Sequence, residues 1–150
     1  MTTTIDLTSD IIDVRDIIER FEELETTREN LREEFDNMPE NAGVDFDRWV
    51  CDMTGGAWSR EEQDECAQLT AILDELAGSG GDEKWRGDWY PITLIRESYF
   101  TEYAREILED CGTIPRDLPS WVHIDWEATA EEVKVDYSYI SIGKMDYFYR

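Results

Sequence analysis

Asp10-Ile-Ile-Asp-Val-Arg-Asp-Ile-Ile-Glu-Arg-Phe-Glu-Glu-Leu-Glu-Thr-Thr-Arg-Glu-Asn-Leu-Arg-Glu-Glu-Phe-Asp36 combines a dense run of acids with a regular apolar period. Val14, Ile17, Phe21, Leu24, Arg28, Leu31 and Phe35 follow one another at alternating steps of three and four. That is a heptad seam with one polar break at Arg28, and it predicts a helix over 10–36 with Ser9 as its N-cap. A seam this regular points to a coiled coil or a long helical hairpin. Val14, Ile17, Phe21, Leu24, Leu31 and Phe35 are therefore the expected seam, either within one chain or between two chains.

Working outward, Cys66, Leu69, Leu73 and Leu76 repeat the four/three spacing and predict a second helix over 60–77. Ser59 and Glu62 form its capping box, and Gly78 is placed to stop it. Pro39, Gly43, Gly55 and Gly56 break the segment between the helices, although a short helix fits near Asp45–Asp52. Ala77-Gly-Ser-Gly-Gly-Asp82 is the most linker-like run, so the expected domains are 1–81, an acidic helical hairpin, and 82–150, a small α/β domain.

In the second part Trp89–Ile95 reads as a strand, with Pro91 favouring an edge. Phe100, Tyr103, Ala104, Ile107, Leu108 and Cys111 trace one amphipathic helix face that ends at Gly112. A shorter helix begins near Asp125 and offers Trp126, Ala130 and Val133 to the core. Tyr137–Ile142 and Met145–Tyr149 flank Gly143-Lys144, the signal of a closing β-hairpin. The fold class expected is α+β.

Charge narrows the function. The 150 residues carry 37 Asp and Glu against 14 Lys and Arg, a formal net charge of -23. Direct nucleic-acid binding through a basic face is excluded, as is a polybasic membrane anchor. No apolar run is long enough to span a bilayer. The first residues lack the basic and apolar blocks of a signal peptide, and three cysteines without metal-like spacing fit a reducing compartment. The expectation is a cytoplasmic protein, in the host cytoplasm if phage-encoded. The 12% aromatic content distinguishes the chain from acidic disordered sequences and predicts a folded core.

The acids of the first helix are sorted. With Val14 at a and Ile17 at d, Asp16, Glu19, Glu22, Glu23, Glu29 and Glu33 fall on the outward b, c and f positions. Arg20, Arg28 and Arg32 fall on g, a and e, beside the seam, where Arg20 of a parallel dimer would meet Glu25 of the other copy. Eleven carboxylates over 27 residues give one per about 3.7 Å at ~1.5 Å per residue. Two such helices side by side would offer one per about 1.8 Å, against one charge per ~1.7 Å in duplex DNA. The four arginines lower the net density, so the match is gross. A paired acidic rod of this kind would suit the basic groove of a DNA-binding protein. Plain solvation, or adaptation to high salt, also accounts for acidic helix faces and for three lysines against eleven arginines.

Two C-terminal stretches carry a resemblance. Leu94-Ile-Arg-Glu-Ser-Tyr-Phe-Thr-Glu-Tyr-Ala-Arg-Glu-Ile107 and Ile124-Asp-Trp-Glu-Ala-Thr-Ala-Glu-Glu-Val-Lys-Val-Asp-Tyr-Ser138, joined through Gly112-Thr-Ile-Pro115, resemble the C-terminal part of the ArdA antirestriction proteins. The likeness covers about a third to two-fifths of the chain. It implies a dimeric DNA mimic without chemistry that occupies the DNA groove of host type I restriction-modification enzymes. The matching acids are Glu97, Glu102, Glu106, Glu109, Asp110, Asp125, Glu127, Glu131, Glu132 and Asp136. The chain departs from that family at its front, where a helical hairpin stands in place of further small domains, and the family's antirestriction motif is not found.

Chemistry is otherwise sparse. His123 is the only histidine, so no His-based metal site or Ser/His/Asp triad can be assembled without it, and no nucleophile elbow accompanies it. Asp45, Asp47 and Asp52 offer hard oxygen ligands without EF-hand spacing. The expectation is no enzyme, no cofactor and no metal. The partner expected is a host DNA-binding defence protein of a restriction-modification or CRISPR system, met through Asp16, Glu19, Glu22, Glu23, Glu29, Glu33, Glu102, Glu106, Glu109 and Glu131. A homodimer is one arrangement the seam allows. An anti-CRISPR inhibitor and a coiled-coil assembly adaptor are the competing readings.

Overall fold

A computed structural model describes residues 5–41, 43–46, 48–49 and 60–150, and the chain is α+β. Strand β1 (Ile11–Asp13) runs straight into helix α1 (Val14–Asp36), and helix α2 spans Arg60–Leu76. A two-stranded hairpin follows, β2 (Glu83–Trp85) and β3 (Asp88–Tyr90). Strand β4 (Thr93–Arg96), helix α3 (Glu97–Asp110), helix α4 (Trp126–Val133) and strands β5 (Ser138–Ile142) and β6 (Met145–Tyr149) complete the chain. Two compact units emerge. One is built mainly from Arg15–Glu75, and the other joins Asp6–Val14 to Leu76–Arg150.

The helix expected over 10–36 starts at Val14 instead. Ile11, Ile12 and Asp13 pair antiparallel with Ile95, Leu94 and Thr93. The Val14 amide donates to the Ile92 carbonyl at 2.7 Å and the Arg96 amide to the Asp10 carbonyl at 2.8 Å. Two adjacent isoleucines suit a pleated strand as well as a helix face, and a partner some eighty residues away decides the matter. The residues before α1 thus complete the C-terminal sheet.

That sheet has the order β1-β4-β6-β5, antiparallel throughout. On one face Ile95 packs with Phe100 and Ala104 of α3 and Ala130 of α4, ringed by Tyr99, Tyr103, Val133, Tyr137 and Phe148. Phe100 is the hub, with its ring 5.1 Å from Tyr137 and 5.3 Å from Phe148 in edge contacts. On the other face Leu94, Ile140, Ile142, Tyr147 and Tyr149 are also buried. Full burial of one such side chain contributes about 2 kcal/mol, more than an exposed ion pair at below ~1 kcal/mol, so the aromatic core and not the surface charge holds this unit. Tyr147 adds a long-range tie: its hydroxyl lies 2.8 Å from the carbonyl oxygens of both Leu7 and Ser9.

The strand expected over Trp89–Ile95 is divided. Pro91 is buried between β3 and β4, which belong to different sheets, and β4 is central, not an edge. A proline lacks the N–H for a ladder, so the chain turns there. The run 77–82 is not a free tether: Gly78 (φ +76°) donates its amide to the Trp89 carbonyl at 2.8 Å. Gly80 presses so closely on Pro91 that a Cβ would meet its nitrogen at 2.3 Å. Arg86 and Gly87, both at positive φ, make the two-residue turn of β2–β3, a hairpin with no counterpart among the sequence expectations. The closing hairpin falls where expected, with Gly143 at φ +63°.

Val14, the first seam residue, is buried in the unit of the sheet; in the other unit the seam residues Ile17, Phe21, Leu24 and Phe35 are buried within a single chain, together with Ile18, while Leu31 is half-buried. Beyond α1 the chain returns over its C-terminal end. Phe46 lies 5.4 Å from Phe35, Trp49 lies 5.1 Å from Phe35, and Arg28 and Arg32 stack on Phe46 at 5.3 and 4.9 Å. Arg28, the polar break in the heptad, thus works through its guanidinium plane. Phe46, Arg48 and Trp49 are helical, within the short helix expected near Asp45–Asp52. The rest of that expectation, with Asp47, Asp52, Cys51 and the Ser59 half of the capping box, lies outside the described residues.

Candidate functional site

The candidate site is an acidic helical surface. On α1, Asp16, Glu19, Glu22, Glu29 and Glu33 are exposed. At ~100° and ~1.5 Å per residue, Glu19, Glu22, Glu29 and Glu33 fall within an arc of about 80° over roughly 21 Å. This arc lies opposite the buried row of Ile17, Phe21, Leu24 and Phe35. Among the described residues Asp16, Glu19, Glu29 and Glu33 have no cationic partner. The ridge is sparser than one DNA strand, which presents a phosphate every ~3.4 Å of axis.

Glu23 departs from expectation. It is half-buried and accepts a hydrogen bond from Arg20 Nη1 at 3.3 Å. Arg20 itself does not reach outward to the Glu25 of another copy. It is 5% exposed and forks onto Glu65 of α2, with Nε to Oε1 at 2.7 Å and Nη2 to Oε2 at 2.9 Å. The hydrogen bonds to Glu65 hold this guanidinium firmly protonated against the opposing effect of its burial. Bidentate geometry explains why an arginine occupies the position. A four-residue period reveals that Arg20 faces inward but does not name its partner, which is 45 residues away.

The second group lies in the other unit, with Glu102, Glu106 and Glu109 on α3 and Glu131 on α4, all exposed. Three of the four are partnered. Glu106 accepts from the Tyr99 hydroxyl at 3.2 Å, Glu109 pairs with Arg105 at 3.1 Å, and Glu131 pairs with Lys134 at 3.0 Å. Desolvation and then the Glu106 carboxylate raise the Tyr99 hydroxyl above its ordinary value. Asp125, among the acids matched by resemblance, caps α4 by accepting from the Ala128 amide at 3.1 Å. Its role is thus structural as well as electrostatic.

His123 is exposed at an open cleft of about 650 Å³ beside Arg105, Glu109, Arg116 and Trp126. The Arg105 guanidinium lies 5.6 Å from the Trp126 ring centre. No group of three or more His, Cys, Asp or Glu stands close enough to hold a metal ion among the described residues. Among them, too, no helix is long and apolar enough to cross a membrane. Comparison with protein-family models, with curated proteins and with solved structures gives no match.

Proposed function

We propose that this chain is a non-enzymatic DNA mimic that occupies the DNA-binding groove of a host defence enzyme, in the first place a type I restriction-modification enzyme in the host cytoplasm. The observation that carries the reading is the ridge Glu19, Glu29 and Glu33 on α1, without a cationic partner among the described residues and set opposite that helix's buried row in a chain of net charge -23. The ArdA-like C-terminal stretches point the same way. The Arg20–Glu65 fork supports a hairpin in which α1 folds back on α2, stiffening the ridge. Rigid placement matters because a groove contact that must first be ordered loses affinity to that ordering. Electrostatic steering would speed association.

The test is charge reversal at Glu19, Glu22, Glu29 and Glu33 to Lys, with helix content followed by circular dichroism and inhibition assayed against a type I restriction enzyme. Inhibition is expected to disappear while the helix signal stays within a few per cent. Undiminished inhibition sinks the mimic. Capture from host lysate at low salt widens the test, because a mimicked partner is released both by duplex DNA and by high salt. Release of a CRISPR effector instead would make the chain an anti-CRISPR inhibitor acting by the same physics. A partner that survives both washes would make it an assembly adaptor.

A further inference from the structure

We infer that the free edge of strand β5 is a self-association surface, on which a second copy of this chain adds its own β5 antiparallel about a two-fold axis at Ile140. The hairpin parity sets which groups are available. A two-residue turn makes Ile142 and Met145 a hydrogen-bonded pair, as are Ile140 with Tyr147 and Ser138 with Tyr149. The alternate residues, Tyr139 and Ser141, therefore aim their N–H and C=O away from β6, at the outer edge of the sheet. Tyr139 set against Ser141 of the other copy, and the reverse, makes four backbone hydrogen bonds and joins two four-stranded sheets into one.

Three observations select this edge and this occupant. First, it is unguarded. Ser138-Tyr-Ile-Ser-Ile142 contains no proline, glycine or charge, the features by which edge strands are ordinarily blunted. The opposite edge, β1, is three residues long, follows Asp10 and ends on Asp13. Second, apolar side chains stand exposed on it and just before it in the chain, Tyr139 at 63% and Val135 at 81%. Third, the local charge admits a like-charged partner. Counting from Glu131, which pairs with Lys134, to Arg150, the chain carries three bases and four acids, so nearly the whole negative excess of the molecule lies elsewhere. A second copy meets here the segment of the chain that carries almost no net charge. The heptad seam of α1 offers no such approach, because Val14, Ile17, Phe21 and Leu24 are already buried within one chain. None of this depends on mimicry.

Sedimentation equilibrium of the full chain tests it, at micromolar protein across 0.05–0.5 M NaCl, with Tyr139→Lys and Ser141→Pro as variants. The expected species is about 35 kDa, twice the 17.6 kDa chain. Its dissociation constant should fall severalfold as salt screens the repulsion between acidic copies, and each variant should weaken association at least tenfold. Ser141→Pro deletes an outward N–H at an edge position that tolerates proline. Tyr139→Lys keeps every backbone group and serves if the proline variant does not fold. Amide exchange at Tyr139 and Ser141 should slow as dimer forms. A monomer at every salt concentration, a dimer equally strong in both variants, or a dimer that weakens with salt would each overturn the proposal. Mimicry weakens with salt, so the two readings fail separately.

Discussion

Arg20 shows how one residue can carry more than its charge. Its fork onto Glu65 joins two helices, and removing the arginine alone leaves a partly buried carboxylate with nothing to meet. Arg20→Met is expected to cost about 2 kcal/mol in urea denaturation, kept below the range for fully buried pairs because Glu65 is 23% exposed. The double variant Arg20→Met/Glu65→Leu should lose less than the single one. A double variant weaker than the single would mean that the pair itself, and not the stranded charge, provides the stability. The tyrosines make a second residue-scale prediction. Burial, with the adjoining Tyr137, pushes the Tyr103 hydroxyl from 10.0 up to about 12. Below pH 10 both folded and unfolded chains keep the proton and the full stability is present. As pH rises from 10 toward 12 the unfolded chain ionises first, so stability falls. Burial shifts Tyr147 in the same direction. Tyrosinate absorbance should show a late phase that moves down when Tyr103 is replaced by Phe and its contribution is lost.

Among the elements, the connection 77–82 separates what composition suggests from what packing requires. Glycines and a serine read as a tether, yet Gly80 touches the backbone at Tyr90 and Pro91, while Gly81 next to it faces open space. Gly80→Ala should therefore destabilise by more than about 2 kcal/mol, since backbone cannot move aside as a side chain can. Gly81→Ala should change the melting temperature little, or raise it slightly by restricting the unfolded chain. Equal effects at the two positions in thermal melts would contradict the close approach at Gly80. The same contrast governs legibility. Helices α2 and α3, and α4 with its Asp125 cap, were readable because each carries its own period, cap or stop over 8–17 residues. Strands β1, β2 and β3 hold three residues each, too few for a period to register. They exist through partners, and only β3 is touched by a local reading, the strand expected over Trp89–Ile95.

For the whole molecule, the charge of -23 acts on the fold as well as on partners. Self-repulsion opposes compactness and is screened by salt. The melting temperature should rise between 0.02 and 0.5 M NaCl, read by circular dichroism at low protein concentration so that association contributes little. A flat response would mean that ion pairs such as Arg105–Glu109 already balance the local fields. The candidate site follows the same division. The outward acids of α1 could be read from heptad position, with Glu23 the exception because its neighbour Arg20 turns inward. On α3 and α4 composition located the acids but not their partners Tyr99, Arg105 and Lys134, which depend on side-chain reach within a turn of helix and on its packing.

The α+β class, the long acidic helix with its inward row, the aromatic helix face around Phe100 and the terminal hairpin are all legible in the order of residues. These follow from local periodicity and turn chemistry, which act between residues a few positions apart. It takes the folded chain to make Ile11–Asp13 a strand of the C-terminal sheet, to give Arg20 to Glu65, and to leave the edge of β5 open. Each depends on residues far apart in the chain, or on the order of strands in a sheet. Distant partners win when they satisfy backbone and charged groups that local structure would leave unpaired.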